Sequence, residues 1–184
     1  MILTEERKIT VQELFEMELE EGYFYELING HIIRKPTPSP PHQEVVGNLI
    51  ILMNTFIKEK LLGDCYISPI DVFFDNYNNT QPDILFIKTD RLFIVTQDGI
   101  MGQPDLIVEV LSPSTYRNDR TLKKGLYCQF GVSEYWIVDP KNQAIEVYAL
   151  DVDGYTLASF AIEKGEIESK MLEGFKMDIT GVFA

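Results

Sequence analysis

Two acids occupy positions where apolar strands begin or run. Asp83 follows Pro82 and opens the run Ile84-Leu85-Phe86-Ile87; Glu109 lies inside Leu106-Ile107-Val108-Glu109-Val110-Leu111. An acid within such a run is costly if it is buried without a partner, so Glu109 calls for a cation, a metal or a hydrogen-bond network. A structural salt bridge, or a strand-edge acid facing water, meets the same need. Asp105, after Pro104, opens the Glu109 strand. Four residues at about 3.3 Å each place it roughly 13 Å from Glu109, too far to share one ion on a straight strand. Asp105 therefore reads as a strand-start hydrogen bonder. Asp83 belongs to a separate strand that can lie beside Glu109. Two carboxylates on neighbouring strands can close on one Mg²⁺, which prefers oxygen ligands and keeps several waters. Such an ion polarises a phosphate, activates water and stabilises a leaving oxygen.

Phosphodiester chemistry also wants a cation near the scissile phosphate. Lys123 and Lys124 lie on a predicted helix just after the Glu109 strand. Asp119, Lys123 and Tyr127 are spaced i, i+4, i+8 and share a face, with Leu122 and Leu126 as an adjacent apolar stripe. Lys123 can lean from that face toward the strand ends; an ordinary solvated basic face is the competing reading. Arg117, Arg120, Lys123 and Lys124 form a basic cluster with only Asp119 among them. His31 and His42, with Cys65 and Cys128, make no zinc spacing. Gly-rich phosphate loops and a Gly-x-Ser-x-Gly elbow are absent from the sequence. Ser112 and Ser114 flank a proline and read as helix-capping groups. Tyr135 and Trp136 read as core.

The elements that must position these residues follow from periodicity. Thr4 to Glu21 reads as an acidic helix, with a Thr10/Glu13 capping box inside it. Tyr23 to Lys35 reads as a hairpin turning at Asn29-Gly30, and Pro36 to Pro41 as a stiff connector. Glu44 to Lys60 has apolar residues at helical spacing and ends at Gly63-Asp64. Strands are predicted over Tyr66–Phe74, Asp83–Ile87, Asp105–Leu111 and Glu134–Val138, with a turn at Asp75–Asn79 and irregular chain or a short helix over 88–102. A helix from Tyr116 to Phe130 is closed by Gly131. A final hairpin, Ile145–Leu150 and Tyr155–Phe160, turns at Asp153-Gly154. The order implies one α/β domain over residues 1–184, a mixed sheet with helices against it.

The chain has 184 residues, 45% hydrophobic and 24% charged, which suits one globular domain and excludes wholesale disorder. Its net charge of −13 disfavours binding nucleic acid through overall positive charge. Residues 1–30 carry −6 and residues 146–184 carry −5, leaving −2 for the middle. The N-terminus, with Glu5 and Glu6, does not read as a signal peptide. The stretch Val45–Ile57 is shorter than the ~20 residues a membrane span needs. Two cysteines read as free thiols in a reducing cytoplasm.

An ordered set of motifs narrows this further. It comprises Tyr25-Glu26-Leu27-Ile28-Asn29-Gly30, Pro38-Ser39-Pro40-Pro41-His42-Gln43, Gln81-Pro82-Asp83, the run from Pro104 to Thr115, Asp119…Lys123…Tyr127, and the run from Gly131 to Pro140. As a set, from about residue 10 to 160, it resembles the Uma-two family of restriction-endonuclease-like proteins, placed in the PD-(D/E)-x-K nuclease superfamily. The resemblance implies a restriction-endonuclease-like fold, with Asp83 and Glu109 as the metal-binding acids. That superfamily's lysine stands two residues after the acid, where this chain has Leu111; the resemblance moves its role to Lys123 on the next helix. Glu26 matches a family glutamate. It is a further acid of the site or a hairpin acid pairing with Arg34 or Lys35. His42 matches a family histidine, with a helix-start or site-lining role; Tyr127 would line the same site.

The expectation is therefore an endonuclease using Mg²⁺ or Mn²⁺. Asp83 and Glu109 hold the ion, Lys123 aids the attacking water, and Arg117, Arg120 and Lys124 approach the backbone of a nucleic acid, DNA foremost, in a cytoplasmic protein that acts without a membrane and as a homodimer. The alternative is a catalytically silent nucleic-acid-binding or protein-interaction module on the same fold, which the acidic ends favour. A metal of purely structural role is the third reading.

Overall fold

A computed structural model describes residues 7–184. The first residues of the predicted N-terminal helix, Thr4 to Glu6, lie outside the described residues. Helix α1 (Val11–Glu16) keeps the capping box, with Thr10 accepting from the Glu13 N–H and Glu13 reaching back to Thr10. It is far shorter than expected. Glu18, Glu20 and Glu21 would crowd negative charge at the negative end of the helix dipole, and no basic residue stands in its last turn.

Strands β1 (Tyr23–Ile28) and β2 (His31–Pro36) form the predicted hairpin. Asn29 and Gly30 both have positive φ, 54° and 78°, as a type I′ turn requires. Helix α2 (Pro40–Lys60) starts four residues earlier than expected, because proline is suited to a first turn whose N–H groups lack helical partners. Its buried side includes Val45, Val46, Leu49, Met53 and Ile57.

The strand expected over residues 66–74 is two strands. The chain leaves β3 (Gly63–Ile67) before Pro69 and resumes as β4 (Val72–Asp75) in a different sheet. Gly63 must remain glycine, since a Cβ there would lie 2.0 Å from the Ile87 carbonyl oxygen on the paired strand. Then come β5 (Asn78–Thr80), β6 (Ile84–Lys88), a 3₁₀ turn at Thr89–Ile94, β7 (Ile100–Met101) and β8 (Leu106–Val110). Helix α3 spans residues 116–129. Its middle, Asp119–Lys123, is a π turn between the α-helical ends Tyr116–Asn118 and Lys124–Gln129. Strands β9 (Glu134–Asp139), β10 (Ala144–Asp151) and β11 (Gly154–Ile162) follow as read. The tail adds a small hairpin, β12 (Glu166–Glu168) and β13 (Lys176–Asp178).

Two larger sheets result where one was expected. The first runs β2-β1-β5-β4-β7; the second runs β11-β10-β9-β8-β6-β3, with β8 and β9 parallel. The central strands of the six-stranded sheet, β6, β8 and β9, are buried on both faces. On one face Ile84, Phe86, Leu106, Val108 and Trp136 pack against α2 and the tail residues Leu172, Phe175 and Val182. On the other, Leu85, Ile87, Ile107, Tyr135 and Ile137 pack against α3 and side chains of the first sheet. Leu126 is buried there as expected, but Leu122 is exposed, so the apolar stripe of α3 is narrower than its sequence suggests. No helix among the described residues is long and apolar enough to cross a membrane.

Candidate active site

Strand parity decides where the acids point. Residues 85 and 87 of β6 and 107 of β8 face α3, so Asp83, two residues before Leu85, and Glu109, two residues after Ile107, face it too. The antiparallel ladder pairs Ile84 with Val108 and Leu85 with Ile107. Carried one step further, it sets Asp83 across from Glu109. Residues directly opposite have Cβ atoms about 5 Å apart, close enough for two carboxylates to reach one ion.

Each acid is held on one oxygen. Asp83 Oδ2 accepts the Val110 N–H at 2.7 Å and lies 3.2 Å from His42 Nε2. His42, in the first turn of α2, also directs Nε2 at the Val110 carbonyl, 3.0 Å away. Glu109 Oε1 accepts from Lys123 Nζ at 2.8 Å and from the Tyr127 hydroxyl at 2.7 Å. Lys123 lies 3.0 Å from Glu26 Oε1 and 3.6 Å from Asp119 Oδ1. Glu26 Oε1 also receives Lys35 Nζ and the Gln81 N–H, each at 2.8 Å. Asp83 Oδ1 and Glu109 Oε2 take no hydrogen bond among the described residues, and Glu26 Oε2 is buried without one.

Charge is unbalanced here. Of four buried acids, Glu26, Glu109 and Asp119 share the two lysines Lys35 and Lys123, and Asp83 pairs with His42. Burial pushes the Glu109 carboxyl up to about 8, against the pull of Lys123 and with help from Asp119 and Asp83. Burial likewise raises Asp119. Glu26 goes the other way: burial opposes its charge, but Lys123, Lys35 and the Gln81 N–H hold it below the usual carboxylate range. Burial disfavours the Lys123 ammonium, yet Glu109, Glu26 and Asp119 keep its pKa well above the ordinary value. Lys123 is thus a fixed cation at neutral pH. His42 is raised by Asp83 and the Val110 carbonyl in spite of its burial.

The acids open onto a cavity of about 350 Å³. Its lining includes Asp83, Glu109 and His42, the connector 36–39, and the Ser112–Thr115 link, where the Ser112 hydroxyl hydrogen-bonds those of Ser114 and Thr115. Glu109, Glu26, Lys123 and Tyr127 therefore share one network, and the Asp83–His42 pair lies beside it, anchored on the Val110 backbone. Both readings of Glu26 describe it, since it joins the site and pairs with Lys35. Lys123 is not a solvated basic residue; only 1% of it is exposed, and it stands behind Glu109 rather than in the cavity wall. Asp105 is apart from the site, accepting the Lys88 N–H and pairing with Arg91.

The remaining basic residues do not join. Arg117 is exposed, Arg120 makes a two-pronged contact with Glu146 at 2.7 and 3.2 Å, and Lys124 sits 3.3 Å over the Tyr148 ring. None of the three lines the cavity. They occupy a helix face next to the one bearing Asp119, Lys123 and Tyr127. Sequence reasoning missed Lys35 as a wall residue, and with it Phe24. Pairing across the Asn29-Gly30 turn sets Phe24 opposite Lys35, and alternation puts both on the Glu26 face; that signal was present in the hairpin. No group of three or more His, Cys, Asp or Glu side chains among the described residues is arranged to hold a metal ion. What the chain offers is a two-carboxylate, all-oxygen donor set.

Comparison with known proteins agrees with this architecture. The family profile Uma2, described as "Putative restriction endonuclease", matches residues 11–180. An uncharacterized protein of Synechocystis is 24% identical over 94% of this chain and 99% of its own length. A second from the same organism is 28% identical over 80% of this chain and 77% of its own. The crystal structure of "a putative nuclease" from Anabaena variabilis superposes with a TM-score of 0.76, at 21% identity, over 95% of this chain and 97% of that one, and shares its fold.

Proposed function

The chain belongs to the Uma2 family, and on that premise we propose that it is a divalent-metal-dependent nuclease that hydrolyses phosphodiester bonds at the Asp83–Glu109 cavity. One observation carries the reading: two carboxylates face each other from neighbouring strands, and each keeps one oxygen free on the cavity side. Oxygen donors with room for water suit Mg²⁺ or Mn²⁺, and a divalent charge would offset the excess of four acids over two lysines. Such an ion would supply Lewis-acid polarisation of the phosphate and a more acidic bound water.

The protein's own groups do the positioning. The Val110 N–H and His42 fix Asp83 through Oδ2, leaving Oδ1 toward the cavity. Lys123 and Tyr127 fix Glu109 through Oε1, leaving Oε2. In this reading Lys123 is a positioning residue, an ammonium that keeps Glu109 and Glu26 together. Lys35 lines the cavity and places an ammonium where a phosphate would enter it. Both cysteines are free, which suits a reducing cytoplasm. The second reading, an interaction module, is favoured by the basic residues of α3 that face away from the cavity.

Calorimetric titration of Mn²⁺ and Mg²⁺ into wild type and Asp83→Ala, followed by oligonucleotide cleavage, tests this. Binding lost in the variant, with metal-dependent cleavage lost in both Asp83→Ala and Glu109→Ala, supports the nuclease. Cleavage retained in either variant overturns the assignment. A wild type that binds no metal, even with a non-cleavable oligonucleotide present, favours the interaction module.

A further inference from the structure

The shape and charge of the cavity constrain which nucleic acid can reach the acids. Asp83 is 7% exposed and Glu109 2% exposed. The cavity onto which they open is lined by the connector 36–39 and by the Ser112–Thr115 link, so a phosphate that reaches them lies against both segments. At about 350 Å³ the space is near the lower end for small-molecule sites and on the scale of one nucleotide. In an intact duplex each phosphate is backed by stacked, paired bases, so its strand cannot fold inward without unpairing.

Electrostatics argues the same way. A duplex carries one negative charge per about 1.7 Å of axis, twice the density of one strand, and proteins that hold it present several cations to it. Here the chain carries −13. Lys35 is the one Lys or Arg side chain lining the cavity among the described residues, and it is already bonded to Glu26. Arg120 and Lys124 are turned to Glu146 and Tyr148. The apolar side of the cavity is instead built from Phe24, Pro36, Pro38, Pro69 and Pro113. The Phe24 ring is an aromatic face that can receive an unstacked base, while the hydroxyls of Ser112, Ser114 and Thr115 can donate to a phosphate oxygen.

We propose that the site takes an unpaired polynucleotide strand, a single strand or the overhang of a duplex, and excludes an intact duplex. This rests on the nuclease reading of the same site. Unpairing costs a few kcal/mol in a duplex and least in a strand that is already single, so the preference arises before any chemistry.

The test uses the full chain with Mn²⁺ and four end-labelled probes of one sequence: a DNA single strand, an RNA single strand, a blunt DNA duplex, and a duplex with a long overhang. The expected result is cleavage of a single strand at least about tenfold faster than of the blunt duplex, with cuts in the overhang duplex confined to its overhang. Cleavage inside the blunt duplex at an equal or higher rate overturns the proposal and leaves the nuclease reading intact. If nothing is cut, the nuclease reading fails, and binding followed by fluorescence anisotropy decides the proposal alone. Tighter single-strand binding supports it; equal binding, duplex preference or no binding overturns it. Phe24→Ala should weaken single-strand affinity about tenfold while the calorimetric Mn²⁺ affinity stays unchanged. An unchanged oligonucleotide affinity in that variant removes the base-stacking wall from the proposal.

Discussion

Glu134 and the cavity acids are equally buried and are treated in opposite ways. Glu134 Oε1 accepts from Trp136 Nε1 at 2.7 Å and Ser169 Oγ at 2.6 Å; Oε2 accepts the N–H groups of Lys170 and Met171 at 2.6 and 3.0 Å. Four neutral donors saturate one carboxylate and pin the 169–172 loop to the sheet. At the cavity, three acids share two lysines while Asp83 leans on His42 and one N–H, Glu26 Oε2 is buried with no partner, and one oxygen each of Asp83 and Glu109 is unbonded. A buried carboxylate with its acceptors filled is a structural tie. A buried carboxylate left under-satisfied at the edge of a cavity holds capacity for a ligand.

The comparison breaks most visibly through activity. Asp83→Ala and Glu109→Ala should lower metal-dependent cleavage by about 10³-fold or more, the scale of losing transition-state electrostatics, with the circular-dichroism spectrum unchanged. Glu134→Gln should leave cleavage per folded molecule unaltered. A Glu134 variant as inactive as Asp83→Ala would erase the distinction between the two regions.

Lys123→Ala comes next. It leaves Glu109 and Asp119 without a cation around a buried void and Glu26 with Lys35 alone. Breaking a buried ion pair costs about 3–5 kcal/mol, so the melting temperature in EDTA should fall by roughly 6–20 °C for a chain of this size. A shift below a few degrees would show that Lys123 does not hold the cluster.

Glu134→Gln should cost less, about 1–3 kcal/mol, because one oxygen that accepts two backbone N–H groups is replaced by a donor. Hydrogen exchange should quicken at residues 169–172, and Mn²⁺ affinity should not change.

The smallest effect is one of pH. The Glu109 carboxyl is raised in the folded state, to about 8, above its ordinary 4.5. Its contribution to stability is therefore fully present below pH 4.5 and lost as pH rises through 8. In EDTA, Glu109→Gln, which stays neutral, should gain melting temperature over wild type progressively from pH 5 to pH 8. A gap that is constant across that range would mean Glu109 is ionised throughout.

Much of the fold was legible because it rests on local rules. Asn29-Gly30, the Thr10/Glu13 capping box, the α2 stripe and the apolar runs around residues 84–87 and 106–111 each declare their element within a few residues. The splitting of residues 66–74 between two sheets was not legible, since Pro69 marks a break but not a destination. The tail was unread for a similar reason: Leu172, Phe175 and Val182 follow no period, and only the groove they fill gives them a place.

The candidate site divides the same way. The sequence by itself determined that Asp83 and Glu109 stand on strands as costly acids, and that Asp119, Lys123 and Tyr127 share one helix face, because side-chain direction follows from the periods of strand and helix. Only the tertiary structure decided what each of them faces. It buried Lys123 behind Glu109, turned Arg120 and Lys124 toward β10, and brought Lys35, Phe24 and His42 to the cavity. Which face a residue occupies is a property of a few neighbours along the chain. What lies opposite that face depends on how distant elements pack, and no local period carries that information.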